Sequence, residues 1–239
     1  MVTSVPYWRM RQWGEEPGVI GMEDDVPAYI DALVEMMDAV RRVLRPDGTV
    51  WLNVADSYSM RAQGERQAPG RGHRAAVLPA RPSTTGVARA KSLLGIPQRL
   101  ELALVERGWL LRSEIVWRKP NAMPEVVSDR PRRSTERVLL LTRSERYVCA
   151  CEPGMTDVWD IPTAPSPVGH PAGFPLVLPT TCIAAFASPG DVVLDPFCGG
   201  GTTGVAALEA GCRFVGIDTN EAGLEGARER LMLLQRESV

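Results

Sequence analysis

The chain has 239 residues, of which 44% are hydrophobic and 23% charged, a composition typical of a globular protein with a buried core. It contains no run of about 18 apolar residues and no basic-then-apolar N-terminus, so we expect neither a membrane-spanning helix nor a secretory signal. Five cysteines, an odd number, favour a reducing cytoplasm, and with only two histidines we predict no metal site.

The net charge of −2 conceals an uneven distribution of charge along the chain. Residues 60–91 carry a net charge of +6 and residues 112–146 carry +4, whereas residues 1–59 and 147–239 are acidic, at −5 and −7. One basic face on an otherwise acidic body is typical of a protein that binds a polyanion such as nucleic acid. A solvated basic loop would have the same composition, so the charges alone leave both interpretations open.

The predicted elements alternate between helices and strands. Apolar residues at helical spacing predict a helix over 27–44. The further predicted elements are strand 49–54, helix 91–107, strands 109–117, 137–142 and 146–150, helix 179–187, strand 192–194, helix 203–210, strand 213–217 and helix 221–236. The polar stretch 60–90 predicts a functional lid or a partly disordered loop, and the proline-rich stretch 153–179 predicts an irregular surface crossing. This alternation indicates an α/β protein with a mostly parallel sheet covered by helices on both faces.

A glycine-rich turn follows the predicted strand at 192–194. The run DPFCGGGTT at 195–203 places an acid at the end of the strand, three glycines in the turn and two threonines at the start of a helix. A strand, a glycine turn and a helix N-terminus together are typical of a nucleotide-type site. Asp218 ends the next strand, where an acid usually binds ribose hydroxyls. The turn lacks a Gly-Lys-Ser/Thr ending, which argues against a triphosphate loop.

Two motifs carry a resemblance to a known family. The run at 195–203 resembles the cofactor motif D-P-F-x-G-x-G-T-T of the amino-methylating DNA methyltransferases, and TSVPYW at 3–8 resembles their catalytic motif S-P-P-Y-W. The similarity runs nearly from end to end, in the order of the β arrangement of that family. It implies a Rossmann-like S-adenosylmethionine-dependent methyltransferase fold with a sheet of about seven strands. It also implies a single domain over 1–239, with 60–91 as a basic, DNA-contacting loop.

The first residue of the catalytic motif bears on the target base. A serine there resembles the cytosine-N4 enzymes of the family, whereas adenine-N6 enzymes more often carry Asp or Asn. The resemblance therefore implies methyl transfer from S-adenosylmethionine to the N4 amino group of cytosine in a specific DNA sequence, with adenine-N6 as the alternative. It implies duplex DNA and a cognate restriction endonuclease as partners, and a cytoplasmic monomer or dimer.

Two departures from the family pattern support a different alternative. Val5 stands where the family usually has proline, and the family usually carries a longer segment before the catalytic motif. A truncated or degenerate relative that binds cofactor or DNA without catalysis is therefore the second alternative.

The chemistry of an exocyclic amino group explains the catalytic motif. Its lone pair is delocalised into the base ring, and acceptors on its hydrogens can draw the nitrogen toward a tetrahedral geometry and aim the lone pair at the methyl group. The candidates for these acceptors are Ser4 Oγ and the main-chain carbonyl of Val5, which Pro6 holds in an extended conformation. Tyr7 would stack on a base flipped out of the duplex, and Trp8 would wall the base pocket.

The resemblance assigns the remaining site residues by role. Those expected to bind the cofactor are Asp195, Pro196, Phe197, Gly199, Gly201, Thr202, Thr203 and Asp218, with His170 and Phe174 closing over its methionine end. Those expected to line the base pocket beside Trp8 are Asn53, Asp56 and Tyr58. Those expected to contact DNA phosphates or bases are Arg61, Arg66, Arg71, Arg74, Arg81, Lys119, Arg130, Arg132 and Arg133.

Overall fold

Five helices and nine strands make up the part of the chain that the computed structural model describes, residues 1–10, 18–59, 66–67, 77–78, 87–164 and 173–237. In chain order they are β1 (Val2–Ser4), α1 (Val26–Val43), β2 (Thr49–Val54), β3 (Arg66–Gln67), β4 (Val77–Leu78), α2 (Ile96–Glu106), β5 (Leu110–Arg118), β6 (Thr135–Thr142), β7 (Val158–Asp160), α3 (Val177–Phe186), β8 (Val192–Asp195), α4 (Thr202–Glu209), β9 (Arg213–Gly216) and α5 (Glu221–Glu237). Among these helices, none has the length and apolar character needed to cross a membrane.

These elements fall into two compact units. The first comprises residues 1–5, 43–54 and 107–239, and the second comprises residues 6–42 and 55–106. The single domain expected for the whole chain stays a prediction.

A five-stranded sheet organises the first unit, in the order β1-β2-β6-β5-β7. Only β6 runs against the others, because β1 pairs with β2 and β5 with β7 in parallel, whereas β6 is antiparallel to both of its neighbours. The register places Ser4, the last residue of β1, beside Asn53 on β2, and Asn53 beside Val138 on β6. Polar residues of β1 and β2 therefore lie side by side, and on β6 the polar residue Glu136 is two positions from Val138 on the same face.

The predicted α/β class is confirmed, but the expected single sheet of about seven strands is wrong in its strand count. Strands β8 and β9 form a separate parallel pair, and the two-residue strands β3 and β4 form an antiparallel pair in the second unit. The two groups of strands are separate because the three-residue β1, among the described residues, forms backbone pairs with β2 and not with β8. Its link to β8 is a side-chain hydrogen bond, from Thr3 Oγ1 to Asp195 Oδ1 at 2.5 Å.

Two other predictions differ from the structure. The expected strand at 146–150 does not form, because β2 and β5 already occupy both edges of β6. Its backbone makes isolated bonds instead, from Val148 N to Asp47 O at 3.0 Å and from Ala150 N to Ala185 O at 2.7 Å. The stretch 153–179, expected to be irregular, contains β7, which extends the sheet at β5.

The core of the first unit lies on one face of this sheet. Apolar side chains of β1, β2, β5, β6 and β7 pack there with those of α3 and α4. The Trp51 ring stacks on Trp159, with ring centroids 5.7 Å apart, and meets Phe186 edge-on at 4.7 Å. Residues that point to the opposite face, such as Leu52 and Leu139, are also fully buried. Burial of both faces is what a sheet of this class requires.

The second unit has its own buried residues on α1 and α2. On α1 the side chains of Tyr29, Leu33 and Met37 follow one another at helical spacing and are fully buried, and Leu100 and Leu104 repeat the pattern on α2. Such a stripe is the apolar face of an amphipathic helix.

We predict that Leu139→Ala lowers the free energy of unfolding by about 3 kcal/mol, because it leaves a cavity in the middle strand of the sheet. Leu139 is 0% exposed and lies between Leu52 and Glu114 on the neighbouring strands. Urea denaturation measures the change. The control is Val126→Ala at a fully exposed position, expected to stay within about 0.5 kcal/mol of the wild type. Equal stability of the two variants would contradict the burial of Leu139 on this face of the sheet.

Candidate functional site

The glycine turn between β8 and α4 is built from residues that tolerate unusual backbone angles. Gly199 and Gly201 have φ values of +46° and +76°, in the left-handed region that favours glycine. A Cβ at Gly201 would also lie 3.0 Å from the Cβ of Ala227 on α5. These two glycines therefore allow the chain to turn tightly between β8 and α4. The first N–H groups of a helix favour negatively polarised ligand atoms.

Asp195 is the buried centre of this turn. Its Oδ1 accepts hydrogen bonds from Thr3 Oγ1 at 2.5 Å and Phe197 N at 3.0 Å, and its Oδ2 accepts one from Thr203 Oγ1 at 2.5 Å. The residue is 2% exposed, and this burial raises the pKa of Asp195 to about 6, although the hydrogen bonds act in the opposite direction. The carboxylate thus connects β1, the turn and α4 by hydrogen bonds and fixes the position of the turn.

Asp218 lies beside the turn, as the sequence predicted. Its Oδ2 accepts a hydrogen bond from Gly199 N at 2.7 Å, and its Oδ1 accepts one from Asn220 N at 2.9 Å. The residue is half-buried, and each carboxylate oxygen has a second lone pair. An acid so placed, at the tip of the strand next to a glycine turn, suits the hydroxyls of a ribose.

The other residues assigned to the cofactor occupy different positions around the turn. Pro196, Phe197 and Thr202 are half-buried within it, whereas Phe174 packs against the core of the first unit. His170 lies outside the described residues. Sequence reasoning missed Arg230 on α5, whose Nη1 donates to Gly200 O at 3.3 Å.

The catalytic motif begins in a polar network at the end of β1. Ser4 Oγ donates a hydrogen bond to Asn53 Oδ1 at 3.0 Å, and Val5 N donates to the backbone oxygen of Asn53 at 3.1 Å. The amide nitrogen of Asn53, a residue only 2% exposed, donates to Glu136 Oε2 at 3.1 Å and to Arg137 O at 3.2 Å. The predicted base-pocket residue Asn53 is therefore in direct contact with Ser4, the first residue of the predicted catalytic motif.

Lys119 completes this network. Its ammonium forms an ion pair with Glu136 Oε1 and lies 4.4 Å from the centre of the Trp117 ring, and its side chain is only 18% exposed. Its expected contact with DNA stays a prediction. Sequence reasoning missed Glu136, for which the signal was an acid inside an otherwise apolar β-rich run.

The remaining residues expected to contact DNA are only partly described. Arg130 pairs with Glu125 at 2.7 Å, and this guanidinium lowers the pKa of the Glu125 carboxyl. Arg132 is exposed and Arg133 half-buried. Arg66 lies in β3. Outside the described residues are Arg61, Arg71, Arg74 and Arg81.

Later residues of the catalytic motif belong to the second unit. Pro6 O accepts a hydrogen bond from the hydroxyl of Tyr29 at 2.9 Å, and Tyr7 is half-buried. Trp8 is buried, and its indole N–H donates to Glu23 O at 3.0 Å. Trp8 therefore packs as an interior residue of this unit.

Two residues expected in the base pocket also lie in the second unit. The carboxylate of Asp56 accepts hydrogen bonds from Gly95 N at 3.2 Å and Ile96 N at 3.1 Å, and so caps the beginning of α2. Tyr58 forms a single β-bridge with Leu93. Asp56 therefore has a structural role at the beginning of α2, and its contact with a base stays a prediction.

Known proteins resemble this chain over nearly its whole length. The family model of the N6/N4 methyltransferases, described as DNA methylase, matches residues 1–229. The Type II methyltransferase M.Cfr9I of Citrobacter freundii is 42% identical over 242 aligned residues, which cover 97% of this chain and 80% of that protein.

Two solved structures resemble the fold. The PvuII DNA methyltransferase (cytosine-N4-specific) has a TM-score of 0.70 and 20% identity, covering 96% of this chain and 78% of the other. The M1.HpyAVI–SAM complex has a TM-score of 0.64 and 21% identity, covering 96% of this chain and 86% of the other. The predicted Rossmann-like methyltransferase fold is confirmed by this likeness.

The buried Asp195 carboxyl predicts a pH-dependent stability. Because burial raises its pKa from 3.8 to about 6, the stabilisation from this group is complete below pH 3.8 and is lost as the pH rises through about 6. Relative to Asp195→Asn, whose amide does not titrate, we expect the free energy of unfolding of the wild type to fall by roughly 2 kcal/mol between pH 4 and pH 7. Urea denaturation at both pH values measures the difference, and a difference that stayed constant or moved the other way would contradict this account.

Proposed function

This chain belongs to the N6/N4 DNA methylase family, and we propose that it transfers a methyl group from S-adenosylmethionine to the exocyclic N4 amino group of cytosine in DNA. The observation that carries the proposal is the Ser4 hydroxyl, which stands at the first position of the catalytic motif and hydrogen-bonds to Asn53. Serine at that position favours cytosine, since the adenine-N6 enzymes of this family more often carry Asp or Asn there.

The glycine turn supports S-adenosylmethionine as the cofactor. Gly199 and Gly201 adopt the left-handed backbone angles that form the tight turn, and Asp218 offers carboxylate oxygens to ribose hydroxyls. The M1.HpyAVI structure, which shares this fold, is described as a SAM complex. When bound, S-adenosylmethionine supplies an electrophilic methyl group on a positively charged sulfur.

The residues of the catalytic motif would act mainly by positioning the amino group. Ser4 Oγ and the adjacent Val5 carbonyl can each accept a hydrogen bond from one amino hydrogen, which draws the nitrogen toward a tetrahedral geometry and aims its lone pair. Tyr7, three residues further along, would stack on the flipped base. Catalysis of this kind depends on orientation and fixed dipoles and needs no nucleophilic side chain.

The surroundings of the catalytic motif support DNA as the substrate. The segment 112–146 carries a net charge of +4 and contains the exposed Arg132. The relative M.Cfr9I is named a Type II methyltransferase, which supports a role in restriction–modification with a cognate endonuclease.

Nucleoside mass spectrometry tests the target base. A pool of duplex DNA of diverse sequence, prepared without amino-methylated bases, is incubated with the protein and methyl-labelled S-adenosylmethionine. We expect label in N4-methylcytosine, and label in N6-methyladenine would overturn the base but keep the reaction class. Ser4→Ala combined with Tyr7→Ala should abolish labelling while cofactor binding survives. The control, Ser92→Ala at an exposed position, should behave as wild type. No label with the wild type would favour a non-catalytic relative.

Asp218→Ala tests the cofactor site. Loss of a carboxylate that hydrogen-bonds a ribose hydroxyl should weaken S-adenosylmethionine binding about tenfold or more, as measured by calorimetry. Asp157→Ala removes an exposed carboxylate of the same unit and serves as the matched control, with an expected affinity equal to the wild type. Equal affinities of both variants would remove Asp218 from the proposed site.

A further inference from the structure

A chain of polar contacts runs across three strands of the sheet and ends at Ser4. From the rim inward it passes from the Lys119 ammonium to the Glu136 carboxylate, from there to the amide of Asn53, and finally to the hydroxyl of Ser4. The register requires this proximity, because Ser4 pairs with Asn53 and Asn53 with Val138, two residues from Glu136 on the same face of β6.

The acceptors around Asn53 decide the orientation of its amide. Glu136 Oε2 and Arg137 O lie 3.1 and 3.2 Å from the amide nitrogen, and both are acceptors. The nitrogen must therefore face them, and the amide oxygen must face Ser4. The Ser4 hydroxyl then donates its single hydrogen to that oxygen.

The direction of that hydrogen matters for the reaction proposed above. A hydroxyl whose hydrogen is committed to Asn53 meets an amino group as a hydrogen-bond acceptor. If the amide of Asn53 were reversed, its nitrogen would donate to Ser4 Oγ, and the hydroxyl hydrogen would point elsewhere and oppose the amino hydrogens of the base. An acceptor at this point is what an amino group with a delocalised lone pair requires.

We propose that Glu136, held in place by Lys119, is a positioning residue that acts through Asn53 to keep Ser4 an acceptor for the amino group of the target base. This inference rests on the proposed methyltransferase function. It does not depend on the choice between cytosine and adenine, because both present an exocyclic amino group.

The burial of the ion pair supports a positioning role. The side chains of Lys119 and Glu136 are 18% and 10% exposed, whereas those of Arg118 and Asp160, which form an ion pair between β5 and β7, are 56% and 49% exposed. Burying a pair of charges has a desolvation penalty, so such a pair adds little to stability compared with apolar residues of the same size. It does supply a strong acceptor with a defined direction.

Glu136→Gln tests the proposal with little change in shape. The carbonyl of the introduced carboxamide would accept from the Lys119 ammonium, and its NH₂ group would face the Asn53 amide nitrogen. Arg137 O would then be the remaining acceptor that favours the wild-type orientation of the Asn53 amide, which would no longer be firmly held. We expect kcat for DNA methylation to fall about tenfold or more, with the KM for S-adenosylmethionine and the melting temperature close to wild type. Asp160→Asn, which breaks the exposed neighbouring pair, is the matched control and should leave kcat unchanged.

A compensating substitution separates positioning from a merely structural effect. In the double variant Asn53→Asp/Glu136→Gln, the carboxylate introduced on β2 can accept from both Ser4 and the carboxamide introduced on β6, which restores the acceptor state of Ser4. Because Asn53→Asp also deprives Arg137 O of its donor, we expect the double variant to recover part of the lost kcat. Asn53→Asp alone, with two carboxylates side by side, should be impaired further. If Glu136→Gln does not fold, the comparison of the double variant with Asn53→Asp carries the test.

The outcomes distinguish this inference from the proposed function. Wild-type kcat in Glu136→Gln, or a double variant no better than both single variants, would overturn the role of Glu136 while the wild type still methylates DNA. A wild-type chain that methylates no base in DNA would overturn both proposals.

Discussion

The first unit depends on one buried carboxylate. Asp195 binds Thr3 of β1, Thr203 of α4 and the backbone of the glycine turn, and it does so at 2% exposure. Among the described residues β1 forms no backbone ladder with β8, so this hydrogen-bonded cluster connects the strand that carries Ser4 to the strand that leads into the glycine turn. Burial of this carboxylate costs stability, and the three donors offset only part of that cost, since the pKa of Asp195 stays raised.

The strand β1 also contributes side chains to the face of the sheet that forms the core. Val2, Trp51 and Val138 pack into the apolar cluster, and two residues further along the same strands the face becomes polar at Ser4, Asn53 and Glu136. The period of two in a strand keeps all six side chains on one face. The apolar cluster therefore packs next to the polar network on the same strands. Packing of this kind restricts side-chain rotamers and so maintains the geometry of a site that is built on strands.

Several features of the site could be predicted because their causes are local. The glycines of the turn, the acid at Asp218 and the strand that ends at Asp195 are all readable from spacing, since a tight turn and a strand end each depend on a few neighbouring residues. Most helices and strands also lie within a few residues of their predicted limits. The start of α2 shifts to Ile96, because Lys91 and Gly95 adopt left-handed angles before it.

The sequence by itself determined the α/β class, the glycine turn after β8 and the family resemblance on which the proposed role of Ser4 rests, because each depends on short runs of residues. Only the tertiary structure decided that residues 146–150 form no strand, that β7 joins the sheet, and that Lys119 and Glu136 connect to Ser4 through Asn53. These outcomes depend on which strands are neighbours and in which register they pair. Strand order brings together residues that are far apart in the chain, and it cannot be predicted from the spacing of neighbouring residues.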